Sequence, residues 1–160
     1  MKGCILFLTV AGLATIGCGT SAPTRPAANA QPPKTATTKD ESNLFPSAGR
    51  VATQVYPDHM MNKQFLPGGT IAEFTAANGA GEYREFLVHL ADGRNASFLL
   101  QDYKKVLQNP TYEADKAACF GTDDGQPTYV FARGPYLAGI VGLPKDRAEA
   151  AAKQLADRLS

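Results

Sequence analysis

Glu82 to Gln108 reads EYREFLVHLADGRNASFLLQDYKKVLQ, and the change of period inside this stretch decides the fold. In its first nine residues Phe86, Val88 and Leu90 alternate with Glu85 and His89. A period of two puts successive side chains on opposite faces of a strand, and the polar set predicts that one face is wet. From Ala96 onward the apolar positions are Ala96, Leu99, Leu100, Tyr103 and Leu107, the spacing of one helical face, with Gln101, Asp102, Lys104 and Lys105 on the polar side. Asp92 to Asn95 supplies turn and capping residues between the two.

Upstream, Val51 to Tyr56 and Thr70 to Ala76 have strand character. Leu66-Pro67-Gly68-Gly69 predicts a turn between them, and Asn78-Gly79-Ala80-Gly81 a hairpin connection into Glu82. Downstream the order recurs. Ala117 to Phe120, Thr128 to Arg133 and Tyr136 to Gly142 read as strands linked by Asp123-Asp124-Gly125 and Gly134-Pro135. Pro144 then opens a second helix with Ala148, Ala151, Ala152, Leu155 and Leu159 as its apolar stripe. Tyr83, Leu90 and Arg94 match Tyr136, Leu143 and Arg147 at one spacing, and Ala96 and Leu107 match Ala148 and Leu159 at a spacing one shorter. The expected class is α+β: a mainly antiparallel sheet with two helices on one face, built from a strand-strand-helix unit that occurs twice. Chance similarity between two such units is the alternative.

The amino terminus follows different rules. Lys2 precedes an apolar run from Ile5 to Gly17, which as a helix covers about 20 Å, short of the roughly 30 Å hydrocarbon core of a bilayer. Cys18 closes the run. Thr15-Ile16-Gly17-Cys18 resembles the lipobox of a bacterial lipoprotein, with Gly17 and Cys18 in place and Thr15 where leucine is usual. The resemblance implies a signal peptide over residues 1–17 and lipidation at Cys18; two acyl chains would contribute on the order of 20 kcal/mol to membrane binding. Cleavage after Ala22 is a competing reading, opposed by Pro23 behind the scissile bond, and an uncleaved anchor is another.

Between Gly19 and Asn43 there is no Val, Ile, Leu, Met or aromatic residue, and Pro23, Pro26, Pro32 and Pro33 interrupt Ala, Thr and Ser. So little apolar surface cannot offset the entropy of ordering, which makes residues 18–43 a disordered tether and residues 44–160 a single folded domain.

Charge excludes some functions. The 16 basic residues, less Lys2 of the signal, balance the 15 acidic ones and form no basic stripe, which argues against nucleic acid as a partner. With Cys4 in the signal and Cys18 acylated, Cys119 is left alone, without a disulfide partner, in a small apolar stretch that suits a buried, inert thiol better than a reactive one.

Chemistry-bearing residues are sparse. His59 and His89 have no second ligand at metal-site spacing, so no metal is expected, and no cofactor fingerprint is present. Asp123-Asp124-Gly125 lacks the alternating oxygens of a calcium loop and suits a tight turn. Leu66 to Thr70 is explained by a type II turn rather than by an anion-holding nest, and Arg94 and Arg147 by capping-turn solvation rather than by an acidic ligand.

Leu66-Pro67-Gly68-Gly69, Tyr83-Arg84-Glu85-Phe86-Leu87, Asp102-Tyr103-Lys104-Lys105-Val106-Leu107 and Val130-Phe131-Ala132-Arg133-Gly134-Pro135-Tyr136, in that order, resemble an uncharacterised exported bacterial domain family of unknown function. That resemblance implies export and fold, and no catalytic residues. The functional expectation is a lipid-anchored, non-enzymatic binding or structural module of the cell envelope. Its partners would be the membrane, through the anchor, and an envelope protein or glycan. Gly19 in place of aspartate after the lipidated cysteine favours the outer membrane where one exists. The alternative is a small hydrolase or transferase in which His89 and Glu73 or Glu85 converge in the fold.

Overall fold

The computed structural model describes residues 38–76 and 81–159. The signal segment, Cys18 and most of the tether therefore lie outside the described residues, as does the Asn78-Gly79-Ala80 connection. Seven strands form one antiparallel sheet: β1 (Arg50–Asp58), β2 (Pro67–Thr75), β3 (Glu82–His89), β4 (Gln108–Glu113), β5 (Ala118–Asp123), β6 (Gln126–Arg133) and β7 (Tyr136–Val141), in the order β1-β2-β3-β7-β6-β5-β4. Two helices, α1 (Gly93–Val106) and α2 (Lys145–Ala156), complete the α+β domain.

The helices begin where the sequence places them. Asp92 caps α1 by accepting a 2.9 Å hydrogen bond from the Asn95 amide, and Ala96, Leu99, Leu100 and Tyr103 are buried. Pro144 precedes α2, whose Ala148, Ala152 and Leu155 are buried.

They do not share a face. Phe86, Val88, Val130, Leu137 and Val141 pack with Leu99, Leu100 and Tyr103 of α1. Leu87, Tyr129, Phe131, Ala138 and Ile140 pack with Ala148, Ala152 and Leu155 of α2. Those two sets alternate along β3, β6 and β7, so α1 and α2 cover opposite sides. This corrects the one-face expectation, and the reason is visible in the strands themselves. Phe86-Leu87-Val88, Tyr129-Val130-Phe131 and Leu137 to Val141 are almost continuously apolar, as strands buried on both faces must be. The same finding corrects the wet face assigned to β3, since Glu85 is only 1% exposed. It also counts against a duplicated unit. Tyr83 and Tyr136 correspond and lie on the same side of the sheet, yet the helices that follow go to opposite sides.

Gly139 makes this packing possible. It stands opposite Phe86 on β3, and a Cβ there would collide with the Phe86 ring atoms. That ring in turn stacks on Tyr103 of α1 with centroids 5.9 Å apart.

Two further departures have local causes. Pro67, Gly68 and Gly69 belong to β2 rather than to a turn, because Gly68 lets the backbone pass against the Tyr56 and Pro57 carbonyls and the Thr38 hydroxyl, where a Cβ would clash. Strand β4, absent from the sequence reading, is an exposed edge strand carrying Asn109 at φ +50° and Pro110, so it has neither apolar alternation nor a regular ladder. β1 forms the other edge. Each edge carries a proline and a register irregularity, devices that discourage further strand pairing.

α1 lies over β5 to β7 and α2 over β6 and β7. The rest of the sheet is covered by irregular chain. On the α2 side, residues 38–49 cross the sheet with Phe45 in the core and Glu41 buried, so the packed body reaches upstream of Leu44. Polar contacts hold that segment, including the Glu41 amide on the Thr70 hydroxyl at 3.1 Å and Arg50 on the Ser42 carbonyl. On the α1 side the connection from β1 to β2 folds back over the sheet, burying Met60 and Leu66.

Gly139→Ala is expected to cost about 1–3 kcal/mol in urea unfolding, and Phe86→Leu, made in that background, to recover at least about 1 kcal/mol of it. Strictly additive effects would show that the two residues are not packed against one another.

Candidate functional site

The connection between β1 and β2 is held in an unusual backbone conformation. His59, Met61 and Asn62 all have positive φ, at 44°, 57° and 58°. Asparagine tolerates the left-handed region, but a residue such as methionine adopts it at a cost of roughly 1–2 kcal/mol. What holds the loop is on both sides of the strain. Met60 is wholly buried, worth roughly 1.5–3 kcal/mol, and Lys63 is clamped to the β5–β6 turn. The Lys63 ammonium donates to Asp123 Oδ1 at 2.8 Å and to Asp124 Oδ2 at 3.1 Å. Tyr103 of α1 donates to the remaining Asp123 oxygen at 2.6 Å. Burial of Lys63 works against its charge, but the two aspartates outweigh that and hold its pKa above the ordinary value. Burial also pushes the Tyr103 hydroxyl up, with the Asp123 bond acting in the same direction, so it stays a donor.

This clamp roofs a cleft at the end of the sheet. A cavity of about 310 Å³ lies between Met61 and Asn62 of the loop, Asp123, Asp124 and Gln126 of the turn, and a floor of Tyr56, Ile71, Arg84 and Val141. A second, of about 290 Å³, continues over Glu73, Glu82, Tyr83, Arg84 and Gln126. A third, of about 210 Å³, follows β1 along Thr53, Gln54 and Tyr56 to Glu73 and Arg84. Arg84 is common to all three. The register places it beside Glu73 on β2 and Val141 on β7, in one row across the sheet. Arg84 and Glu73 are both exposed, and among the described residues neither has an ion-pair partner within 4.0 Å. A guanidinium presents a planar fork of donors suited to carboxylate or phosphate oxygens. The cleft therefore offers a donor fork, the carboxylates of Glu73 and Glu82, side-chain amides and two tyrosines beside the apolar surface of Ile71 and Val141.

The histidine and carboxylates expected of an acid/base site do not converge. Glu73 and Glu85 lie on opposite faces, since Glu73 faces the α1 side with Ile71 and Glu85 the α2 side with Leu87. His89 meets Glu41 instead. Its Nδ1 lies 3.0 Å from Glu41 Oε1, which is also 3.2 Å from Lys39 Nζ, within ion-pairing distance but not aligned for a hydrogen bond. The imidazole stacks on Tyr136 with centroids 4.7 Å apart. The group ties the start of the folded body to β3 and β7.

His59 is exposed, 3.9 Å from Asp58. Asp123, Asp124 and Gly125 form the β5–β6 turn, with positive φ at Asp124 and Gly125, and the two aspartates hold Lys63 besides. Arg94 and Arg147 are exposed on the first turns of α1 and α2. Cys119 is fully buried, and burial raises its thiol pKa. Among the described residues no three metal-ligating side chains come together. Sequence reading passed over Lys63, Tyr103 and Arg84 as site residues. Arg84 carried one usable signal, a basic residue inside a strand just ahead of the apolar run Phe86 to Val88, and the other two depend on contacts between distant segments.

Comparison with protein-family models, with curated proteins and with solved structures gives no match for the chain.

Glu85 supplies a pH signature. Its Oε2 has no hydrogen-bond partner among the described residues, and burial lifts its pKa from the ordinary 4.5 to about 7, with Arg158 opposing. Because the folded-state value is the higher one, this contribution to stability is complete below pH 4.5 and is lost as pH rises through about 7. The loss is on the order of 3 kcal/mol at most. Glu85→Gln is expected to raise the urea midpoint at pH 8, leave it nearly unchanged at pH 4, and flatten the profile between. An identical pH dependence in the variant would contradict the burial of an ionisable Glu85.

Proposed function

We propose that the chain is a lipid-anchored protein of the bacterial cell envelope, attached through Cys18, whose α+β domain binds another envelope component without transforming it. The observation that carries the binding reading is the three-lobed cleft centred on Arg84, where a donor fork reaches beneath a strained loop and, in the two lobes away from that loop, stands beside the Glu73 carboxylate, neither group having an ion-pair partner among the described residues. Backbone strain of this kind is commonly found at ligand clamps, where the surrounding fold over-determines it. Each lobe is at or below the lower end of the range for drug-sized ligands, about 300–1,000 Å³, so the bound group is small or is one end of something larger.

Attachment rests on the sequence around Cys18. Among the described residues no helix is long and apolar enough to cross a membrane. A tether following Cys18 would let the domain search the space near a bilayer while its cleft stays open to partners, with the outer membrane as the expected site where the organism has one.

Two measurements test this reading. Intact mass spectrometry of protein extracted from its host membrane is expected to show loss of residues 1–17 and added acyl mass at Cys18; an unprocessed chain in the aqueous fraction would refute the anchor. Capture of partners from detergent-solubilised envelope is expected to fall at least about tenfold for Arg84→Glu, a charge reversal at the centre of the cleft, with unfolding stability unchanged. Undiminished capture would refute the cleft as the binding site.

A further inference from the structure

Resting on that reading of the cleft, we infer that its ligand group is a free α-amino acid with an uncharged side chain, held across Glu73 and Arg84. These two residues are direct partners in the β2–β3 ladder and point to the same face of the sheet. Their Cβ atoms are therefore about 4.5–5.5 Å apart, and their charged ends can sit side by side. An α-amino acid carries the matching pair, an ammonium and a carboxylate on one carbon. No covalent step is involved.

The lobes assign an orientation. Arg84 lines all three, but Glu73 lines only the two away from the strained loop. A carboxylate on the Arg84 fork with its ammonium turned toward Glu73 directs the remaining substituent into the third lobe, beneath the loop. There Tyr56, Met61, Ile71 and Val141 provide apolar surface beside Asn62, Gln126 and the Asp123 and Asp124 carboxylates that Lys63 already engages, a mixed lining that suits an uncharged side chain of the size of leucine or methionine. A simple anion would satisfy Arg84 and be repelled by Glu73. A simple cation would meet the reverse problem. A zwitterion of this spacing uses both groups, neither of which has an ion-pair partner among the described residues.

Calorimetric titration of the full chain in detergent micelles with L-leucine, N-acetyl-L-leucine and L-leucinamide tests this. Leucine is expected to bind saturably, and each blocked form at least about tenfold more weakly, because each leaves one charge of the site unpaired. Glu73→Gln is expected to bring N-acetyl-leucine to within about threefold of leucine, and Arg84→Gln to do the same for leucinamide; selective relief of one penalty by each variant is a readout that general damage would not produce. Both side chains are exposed, so thermal unfolding of the variants should match the parent. Equal affinity for leucine and either blocked form overturns the assignment. Absence of saturable leucine binding also overturns it: if Arg84→Glu still abolishes capture from solubilised envelope, the cleft reading survives with a different ligand, and if it does not, both fall.

Discussion

Burial of both faces of β3, β6 and β7 is the constraint from which the rest of the structure follows. Two helices of twelve and fourteen residues are too few to cover a seven-stranded sheet on both sides. Placed on opposite faces over the same central strands, they seal the middle and leave β1, β2 and the outer half of β3 to be covered by whatever chain is near. On one side that chain is the segment leading into β1, fixed by Phe45 and Glu41. On the other it is the β1–β2 loop, which covers only part of the exposed surface, and the uncovered part is the cleft.

The loop can take that role only because Lys63 reaches across the sheet. Its side chain is 12% exposed and its ammonium is shared between Asp123 and Asp124, while Tyr103 completes the shell of Asp123. A buried carboxylate with both oxygens occupied is stable where an unpaired one is costly. The network joins three elements distant in sequence, the loop, the β5–β6 turn and α1, and fixes the roof of the cleft relative to its floor. Glu85 on the opposite face is the contrasting case, a carboxyl held in the core without such a shell.

Much of the fold was legible in the sequence, and what was missed has physical causes. The apolar periodicity of Ala96 to Leu107 and of Ala148 to Leu159 marked both helices, since amphipathic stripes encode their own burial. Six of the seven strands were marked by apolar runs, whereas β4 stabilises itself through edge pairing and charge, with Glu113 accepting from Lys145 at 2.7 Å, and carries no apolar run to read. Alternation in β3 suggested a wet face because Glu85 and His89 are polar, yet Leu87 between them was the better guide. The site itself was largely illegible. Lys63 and Glu41 acquire their meaning from partners about thirty to sixty residues away, and Arg84 from its place between Glu73 and the distant Val141 in the sheet register, which no local spacing records. The lipobox-like pattern at Cys18 is a local one that only sequence can carry, since it lies outside the described residues.

The most direct test of the account replaces Gln54, which lines the cleft, with a photo-crosslinking amino acid in the full chain expressed in its own host, and uses the exposed Phe98 on α1 as the control position. After irradiation in cells, intact-mass analysis is predicted to show a discrete added mass at position 54 and none at position 98. Adducts at both positions to the same extent, or at 98 alone, would contradict the claim that this protein works through the cleft around Arg84.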